Sequence, residues 1–307
     1  MAVTRHGVLK QMEGGQQEDS FKGREFQTLY YSILYGFPSP VLNLNPKILL
    51  SKPQQSTVIM SFKLEEVDPA KDFSELIECE WISYENPPQT FFRLFCPIIG
   101  DGPNAREESL KESTARQLEW HQSDPTSYWQ KIVDPKSGKI AAAALWKICP
   151  TNPFAHEEDH SEAYWFPEGG QRDFVTQALQ RFDAPRARMG RRPQSPAHNR
   201  LDLNIIYTHP DFRRMGLGDM IMDWGINKAK DMGVEMWLDA TVYGVPLYKK
   251  HGFVVVNENS LSPEATGEVS EEWKKIDKEL SPMTLWQMWR PAGGPFQEGV
   301  TTKPWEV

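Results

Sequence analysis

The 307-residue chain carries 25% charged residues, a formal net charge of -8 and a sequence pI near 5.5. That balance excludes an ordinary nucleic-acid binder, which needs a basic face, and fits an acidic cleft that concentrates amines. Three widely spaced cysteines, Cys79, Cys96 and Cys149, make no disulfide framework and fit a reducing compartment. No stretch approaches the ~20 apolar residues of a membrane span, and the opening residues lack the apolar core of a secretory signal. The expected setting is the cytoplasm, the nucleus not being excluded.

Residues 1–59 show no sustained helical or alternating period, and an N-terminal extension without order is expected there. Met60 to Val67 alternates as a first strand, and Asp68-Pro69-Ala70 starts a helix with a cap and a proline in its first turn. Helical patterns follow from Phe73 to Tyr84 and from Ala105 to Trp120. Tyr128 to Val133 and Ile140 to Ile148 flank Asp134-Pro135-Lys136-Ser137-Gly138, which has the residues of a hairpin turn. Residues 150–200 form a Pro-, Gly-, Arg- and acid-rich insertion with one helix expected from Gln171 to Phe182.

Within it, His156-Glu157-Glu158-Asp159-His160 matches the zinc-protease pattern His-Glu-x-x-His. That pattern works only on a helix, where residues four apart share a face. Pro150 and Pro153 before it, and Trp165-Phe166-Pro167 after it, break such a helix, so an acidic loop and no metal are expected. Arg186, Arg188, Arg191, Arg192 and Arg200 follow as a basic cluster. It is either a solvated run or a partner for a phosphate.

Leu201 to Thr208 is an apolar strand, and Leu217 to Met232 a helix. The loop between them contains Arg213, Arg214, Met215 and Gly216, and Gly218 stands in the first helical turn. Strand, glycine-bearing loop and helix start together form a phosphate site, because first-turn N–H groups lack intrahelical partners and carry partial positive charge. Glycine removes side chains that would keep a phosphate away. Met236 to Ala240 is a short strand. Pro246 suits a helix start, and Gly252 a left-handed C-terminal cap. Strands are expected from Phe253 to Val256 and, after a polar excursion, from Leu285 to Trp289. Residues 293–307 read as a tail.

Two blocks carry a resemblance. Arg213-x-x-Gly216-x-Gly218 resembles the acetyl-coenzyme A loop of the GNAT N-acetyltransferases, and Leu247-Tyr248-x-x-x-Gly252-Phe253 resembles the signature that closes their core. Trp165-Phe166-Pro167-Glu168-Gly169 looks most like the fungal-type members. The resemblance covers Met60 to about Pro291. It implies an α+β class and a single GNAT domain over residues 60–292, with a mixed, mostly antiparallel sheet, flanking helices and splayed central strands.

By the same resemblance, acetyl-coenzyme A is the co-substrate. Ile206, Tyr207 and Thr208 offer backbone groups to the pantetheine arm and thioester. Arg213, Arg214, Met215, Gly216, Leu217 and Gly218 hold the pyrophosphate, and Thr241 lies on the pantetheine path. Thr241 and Gly244 stand where the family often has Asn and Ala. Tyr248 matches the tyrosine that protonates the leaving thiolate. Asp202 falls near the position of a family glutamate that serves as base, with Asn204 on its face, and Asp239 is a further candidate. The implied reaction is direct acetyl transfer to a primary amine, of a small molecule or a peptide, in a ternary complex. A non-catalytic acyl-coenzyme A sensor is the alternative from another class.

Overall fold

The computed structural model describes residues 61–154, 162–190, 199–265 and 267–306. Residues 1–60, the His156–His160 run, Arg191 and Arg192 lie outside them. Seven strands form one sheet: β1 (Lys63–Glu66), β2 (Ser127–Val133), β3 (Ile140–Cys149), β4 (Arg200–Thr208), β5 (Met236–Ala240), β6 (Val254–Ser260) and β7 (Thr284–Arg290). Their spatial order is β1-β2-β3-β4-β5-β7-β6, and every neighbouring pair is antiparallel except β4 and β5. The helices are α1 (Phe73–Glu85), α2 (Ala105–Ser123), α3 (Gly170–Gly190), α4 (Leu217–Met232), α5 (Val245–Lys250) and α6 (Glu271–Leu280), with a 3-10 turn at Thr90–Leu94. None among the described residues is long and apolar enough to cross a membrane.

Strand alternation divides the core. Ala142, Ala144 and Trp146 of β3 meet Ile221, Met222 and Ala229 of α4 on one face. Ala143 of β3 and Tyr207 of β4 meet Leu76, Ile77 and Trp81 of α1 on the other. A third cluster joins Phe174 and Ala178 of α3 to Trp273, Ile276 and Leu280 of α6.

Three elements differ from expectation. The polar excursion before β7 contains α6, whose N-cap Ser270 accepts from Trp273 N at 3.2 Å. Its few apolar residues, Trp273, Ile276 and Leu280, fall on one stripe, which a count of polar residues conceals. Helix α3 continues past Phe182 through Pro185 to Gly190. A proline inside a helix strands the carbonyl four residues earlier, and here Asn259 Nδ2 donates to Arg181 O at 2.9 Å. The expected tail returns to the sheet. Phe296 N donates to Gly252 O at 3.0 Å, and Trp305 packs edge-on against Trp289 with ring centres 5.2 Å apart. Beneath it the buried Glu235 carboxylate accepts from both Trp237 Nε1 and Trp289 Nε1, at 2.8 and 2.7 Å.

The α4 face rests on one close approach. Trp146 is fully buried, its indole N–H bonded to Gln130 Oε1 at 3.0 Å, and its ring fills the space where Gly225 of α4 lacks a side chain. Alanine in a helix interior normally gains about 1 kcal/mol over glycine, but a Cβ at 225 would fall inside that ring. Gly225→Ala is therefore expected to lose about 1–3 kcal/mol by overpacking, read as a lower urea midpoint at unchanged slope. A raised midpoint would show that the helix does not sit on Trp146.

Candidate active site

The sheet opens in its middle. β4 pairs with β5 only through Leu201↔Met236, Asp202↔Trp237 and Leu203↔Leu238, and the two strands then part. On its other side β4 stays paired with β3 as far as Ala142↔Thr208, with one irregularity: Trp146 faces Leu203 and Leu145 faces Ile205, so Asn204 is an extra residue. Such a bulge turns the strand and shifts its alternation. Beyond it His209 N donates to Ala141 O at 2.9 Å, which places Tyr207 in the β3 ladder and turns the backbone groups of Ile206 and Thr208 towards the gap.

Both turned carbonyls are occupied. Tyr84 Oη donates to Ile206 O at 3.1 Å and Arg213 Nε to Thr208 O at 3.2 Å. Their N–H groups face a cavity of about 1120 Å³ that runs through the gap. Tyr207 contributes differently from expectation. Its backbone belongs to the ladder, while its hydroxyl donates to Leu76 O at 2.7 Å and anchors β4 to α1.

At one end of the cavity lies the start of α4. Arg214 and Gly216 take positive φ values of 63° and 80°, and no side chain caps the helix, so its first-turn N–H groups stay open to a ligand. Arg214, Gly216, Leu217 and Gly218 line the cavity. Arg213 also lines it, but its guanidinium is spent on protein, bonding Ser83 O at 2.9 Å as well as Thr208 O. It fastens the loop to α1 and β4, and Arg214 is left as the loop's cation for a phosphate. Met215 is exposed and outside the lining. Asp219, an acid in the first turn of α4, would repel a phosphate. Hydrogen bonds from Lys250 Nζ at 2.7 Å and from His251 Nε2 at 2.8 Å offset its charge and hold its carboxyl below the usual range.

Tyr248 of α5 lines the same cavity and is 5% exposed. Burial pushes its pKa well up, so the phenol keeps its proton at neutral pH. Its ring explains Gly244, since a Cβ there would lie 2.7 Å from Tyr248 Cε2. Thr241 lines the cavity too, and its carbonyl accepts from Gly244 N and Val245 N as α5 begins.

The other end belongs to the α1 face. Glu80, 3% exposed, lines it, with Gln117 Nε2 donating to Glu80 Oε2 at 2.8 Å. Burial raises this carboxyl to about 7, against opposing pulls from Gln117 and Arg116. Sequence reasoning passed over Glu80, although a signal existed: it sits on the buried stripe of α1 with Leu76, Ile77 and Ser83. An acid at a core position of an amphipathic helix asks for a reason.

Asp202 is placed otherwise than a base would need. Its carboxylate takes Arg200 Nε at 2.6 Å and is not part of the cavity lining. Asn204 and Asp239 do line the cavity. Asp239 Oδ2 holds Arg186 Nε at 2.5 Å. Of the described members of the arginine cluster, Arg186 and Arg200 turn inward to aspartates, which fits neither expected role, and Arg188 is exposed. Three lining side chains carry a buried polar atom without a partner, Ser83 Oγ, Gln89 Oε1 and Asp239 Oδ1. Burial raises Cys149 to about 11 and Cys79 to about 12, which keeps both as thiols. Among the described residues no group of His, Cys, Asp and Glu is arranged to hold a metal.

A profile described as the acetyltransferase (GNAT) family matches residues 91–253, just over half of the chain. Comparison with curated proteins gave no match. Among solved structures, a Drosophila melanogaster polyamine N-acetyltransferase that forms N-acetylagmatine is 12% identical, with a TM-score of 0.50 over 75% of this chain and 100% of that one. A histone acetyltransferase HPA2-related protein from Corynebacterium glutamicum is 17% identical, with a TM-score of 0.44 over 78% of this chain and 100% of that one. At these identities the likeness concerns the fold.

The loop geometry generates a prediction. Gly216 has free space where a Cβ would go but a left-handed backbone, so alanine there adds strain alone and aspartate adds strain plus like charge against a phosphate. Coenzyme A should raise the melting temperature of the wild type and, to a lesser degree, of Gly216→Ala, but not of Gly216→Asp. Charge-assisted hydrogen bonds contribute ~1.5–3 kcal/mol each, so the difference is readable by thermal shift. Full protection of the aspartate variant would remove the loop from the donor site.

Proposed function

The chain belongs to the acetyltransferase (GNAT) family, and on that premise we propose that it moves the acetyl group of acetyl-coenzyme A directly to a primary amine in a ternary complex. The observation that carries this reading is the single cavity that joins an open helix start and two strand N–H groups to a buried glutamate and a buried tyrosine. The residues present fit the donor. The first turn of α4 and Arg214 would take its phosphates, and Thr241 and the gap edge of β4 its pantetheine arm. The donor supplies a thioester carbonyl. The Ile206 and Thr208 N–H groups would hold its oxygen as negative charge develops, in the manner of an oxyanion hole.

The acceptor arrives charged, because an alkylamine has a pKa of ~10.4. Glu80, with a carboxyl near 7, is poised to take that proton directly or through one water. Attack then forms the C–N bond and breaks the C–S bond. Tyr248, held in its protonated form by burial, gives its proton to the departing sulfur and regains one from the acylated nitrogen, which ends as a neutral amide. Glu80 thus replaces Asp202 as base in this reading, since Asp202 is committed to Arg200.

The pH profile tests both roles. Activity should rise as pH passes ~7, where Glu80 becomes the carboxylate. Glu80→Gln should lower turnover by about 10²–10⁴-fold and erase that acidic limb. Tyr248→Phe should cost a similar factor, keep the limb and leave coenzyme A binding intact. Retention of the wild-type acidic limb in Glu80→Gln, measured by thiol release with an amine that is turned over, would refute Glu80 as base.

A further inference from the structure

Three consecutive residues at the gap edge of β4 are tied to α1, and the ties bracket Glu80. Tyr84 Oη donates to Ile206 O at 3.1 Å, and Tyr207 Oη donates to Leu76 O at 2.7 Å. Arg213 makes the third tie, bonding Thr208 O at 3.2 Å and Ser83 O at 2.9 Å. Leu76 and Tyr84 stand four residues before and four after Glu80, so all three share one face of α1. The two tyrosines cross, one reaching from helix to strand and the other from strand to helix, with ring centres 6.3 Å apart. Within an α-helix the carbonyl of residue 76 also takes the N–H of residue 80. Tyr207 thus holds the turn that carries the carboxylate.

Packing already fixes both rings. Tyr84 stacks on Phe92 with centres 4.9 Å apart and meets Phe91 edge-on at 5.5 Å, and Tyr207 lies 6.4 Å from Trp129. The hydroxyls therefore add direction more than cohesion. Burial raises Tyr84 well above the usual phenol range, with Glu80 and Tyr248 adding to it. Burial does the same for Tyr207, with Cys79, Glu80 and Tyr84 adding. Both stay hydroxyl donors at neutral pH, and Tyr84 feels both groups to which the proton steps are assigned. Transfer between positioned groups is steep in distance, a misplacement of about 1 Å costing about 10²-fold.

We propose that Tyr84 and Tyr207 are positioning residues, a crossed pair that fixes Glu80 at one distance from the Ile206 and Thr208 N–H groups and keeps water from it. The inference rests on the transferase reading above for what that distance serves. The clamp itself is a matter of structure, and the two are separable. Tyr84→Phe and Tyr207→Phe each remove one hydroxyl and keep the ring.

The test uses the full chain and two readouts, with each variant shown folded by its coenzyme A affinity. In thiol release with an amine that is turned over, Tyr84→Phe should lower kcat about 10–100-fold and leave KM for acetyl-coenzyme A near wild type. Because the residue acts through Glu80, the same change in a Glu80→Gln background should cost less than about twofold. In a Tyr248→Phe background it should cost the full factor. The second readout is carbon-13 NMR of glutamate-labelled protein, with the Glu80 signal identified by its loss in Glu80→Gln. Either tyrosine change should let water reach the carboxyl and bring its midpoint down from about 7 towards the ordinary ~4.3. A full loss of kcat from Tyr84→Phe in the Glu80→Gln background overturns the proposal. So does an unchanged Glu80 midpoint in both tyrosine variants, and a lowered melting temperature with nothing else altered would reduce the pair to a structural tie. A lowered midpoint in a protein that releases no thiol with any amine would uphold the clamp and overturn the transferase reading instead.

Discussion

One extra residue in β4 governs the centre of this molecule. Asn204 has no counterpart on β3, and just beyond it β4 leaves β5. Without that insertion the two parallel strands could pair on, and the backbone groups of Ile206 and Thr208 would be consumed by the ladder. With it, the sheet has an open seam in its middle, and the groups on the seam need other partners. Tyr84 and Arg213 satisfy the two carbonyls and leave the N–H groups for a ligand. The seam also connects the two faces of the sheet. In the proposed reaction, a donor at α4 and an acceptor beside α1 would thereby meet at one strand.

Around the seam, burial and pairing set each ionisable group in the state its place requires. Desolvation lifts Glu80 towards neutrality and keeps Tyr248 protonated. Direct pairing does the reverse for Asp219, which stays charged but shielded by Lys250 and His251 in the first turn of α4. The same burial that tunes Glu80 also deprives it of alternative partners, since Gln117 is its one hydrogen-bonded neighbour among the described side chains. No single field would produce all three states. Distinct surroundings within one cavity do so.

The fold was legible where local chemistry and hydrophobic period agree. The strand–loop–helix around Gly216, the Gly252 cap and the β2–β3 hairpin are short-range features, and each emerged near its expected bounds. Helix α6 and the second half of α3 were not legible, because a three-residue stripe supports the first and Asn259, 78 residues away, repairs the second. Site residues divide in the same manner. The backbone-built parts follow from glycines and strand position. Arg213 and Asp202 looked like free charges because their partners, Ser83 O and Arg200, are assigned only by the tertiary arrangement. Glu80 was hidden by its setting, an acid among core residues of a helix whose purpose appeared only when a cavity opened beside it.

The two ends of the cavity are also written differently along the chain. The donor end, from β4 through the start of α4 to Tyr248, is one continuous stretch whose glycines and strand pairings also form the sheet, so a change there disturbs the scaffold. The other end takes lining residues from α1, the 3-10 turn, α2 and α3, four pieces separated in sequence that add no strand to the sheet. Helix α3, which carries Phe182 and Arg186, lies wholly within the insertion between β3 and β4. In the proposed reaction, the surface that would select the amine can therefore be exchanged while the scaffold around α4 is kept. Under that reading, selectivity would be a replaceable part mounted on a fixed reaction.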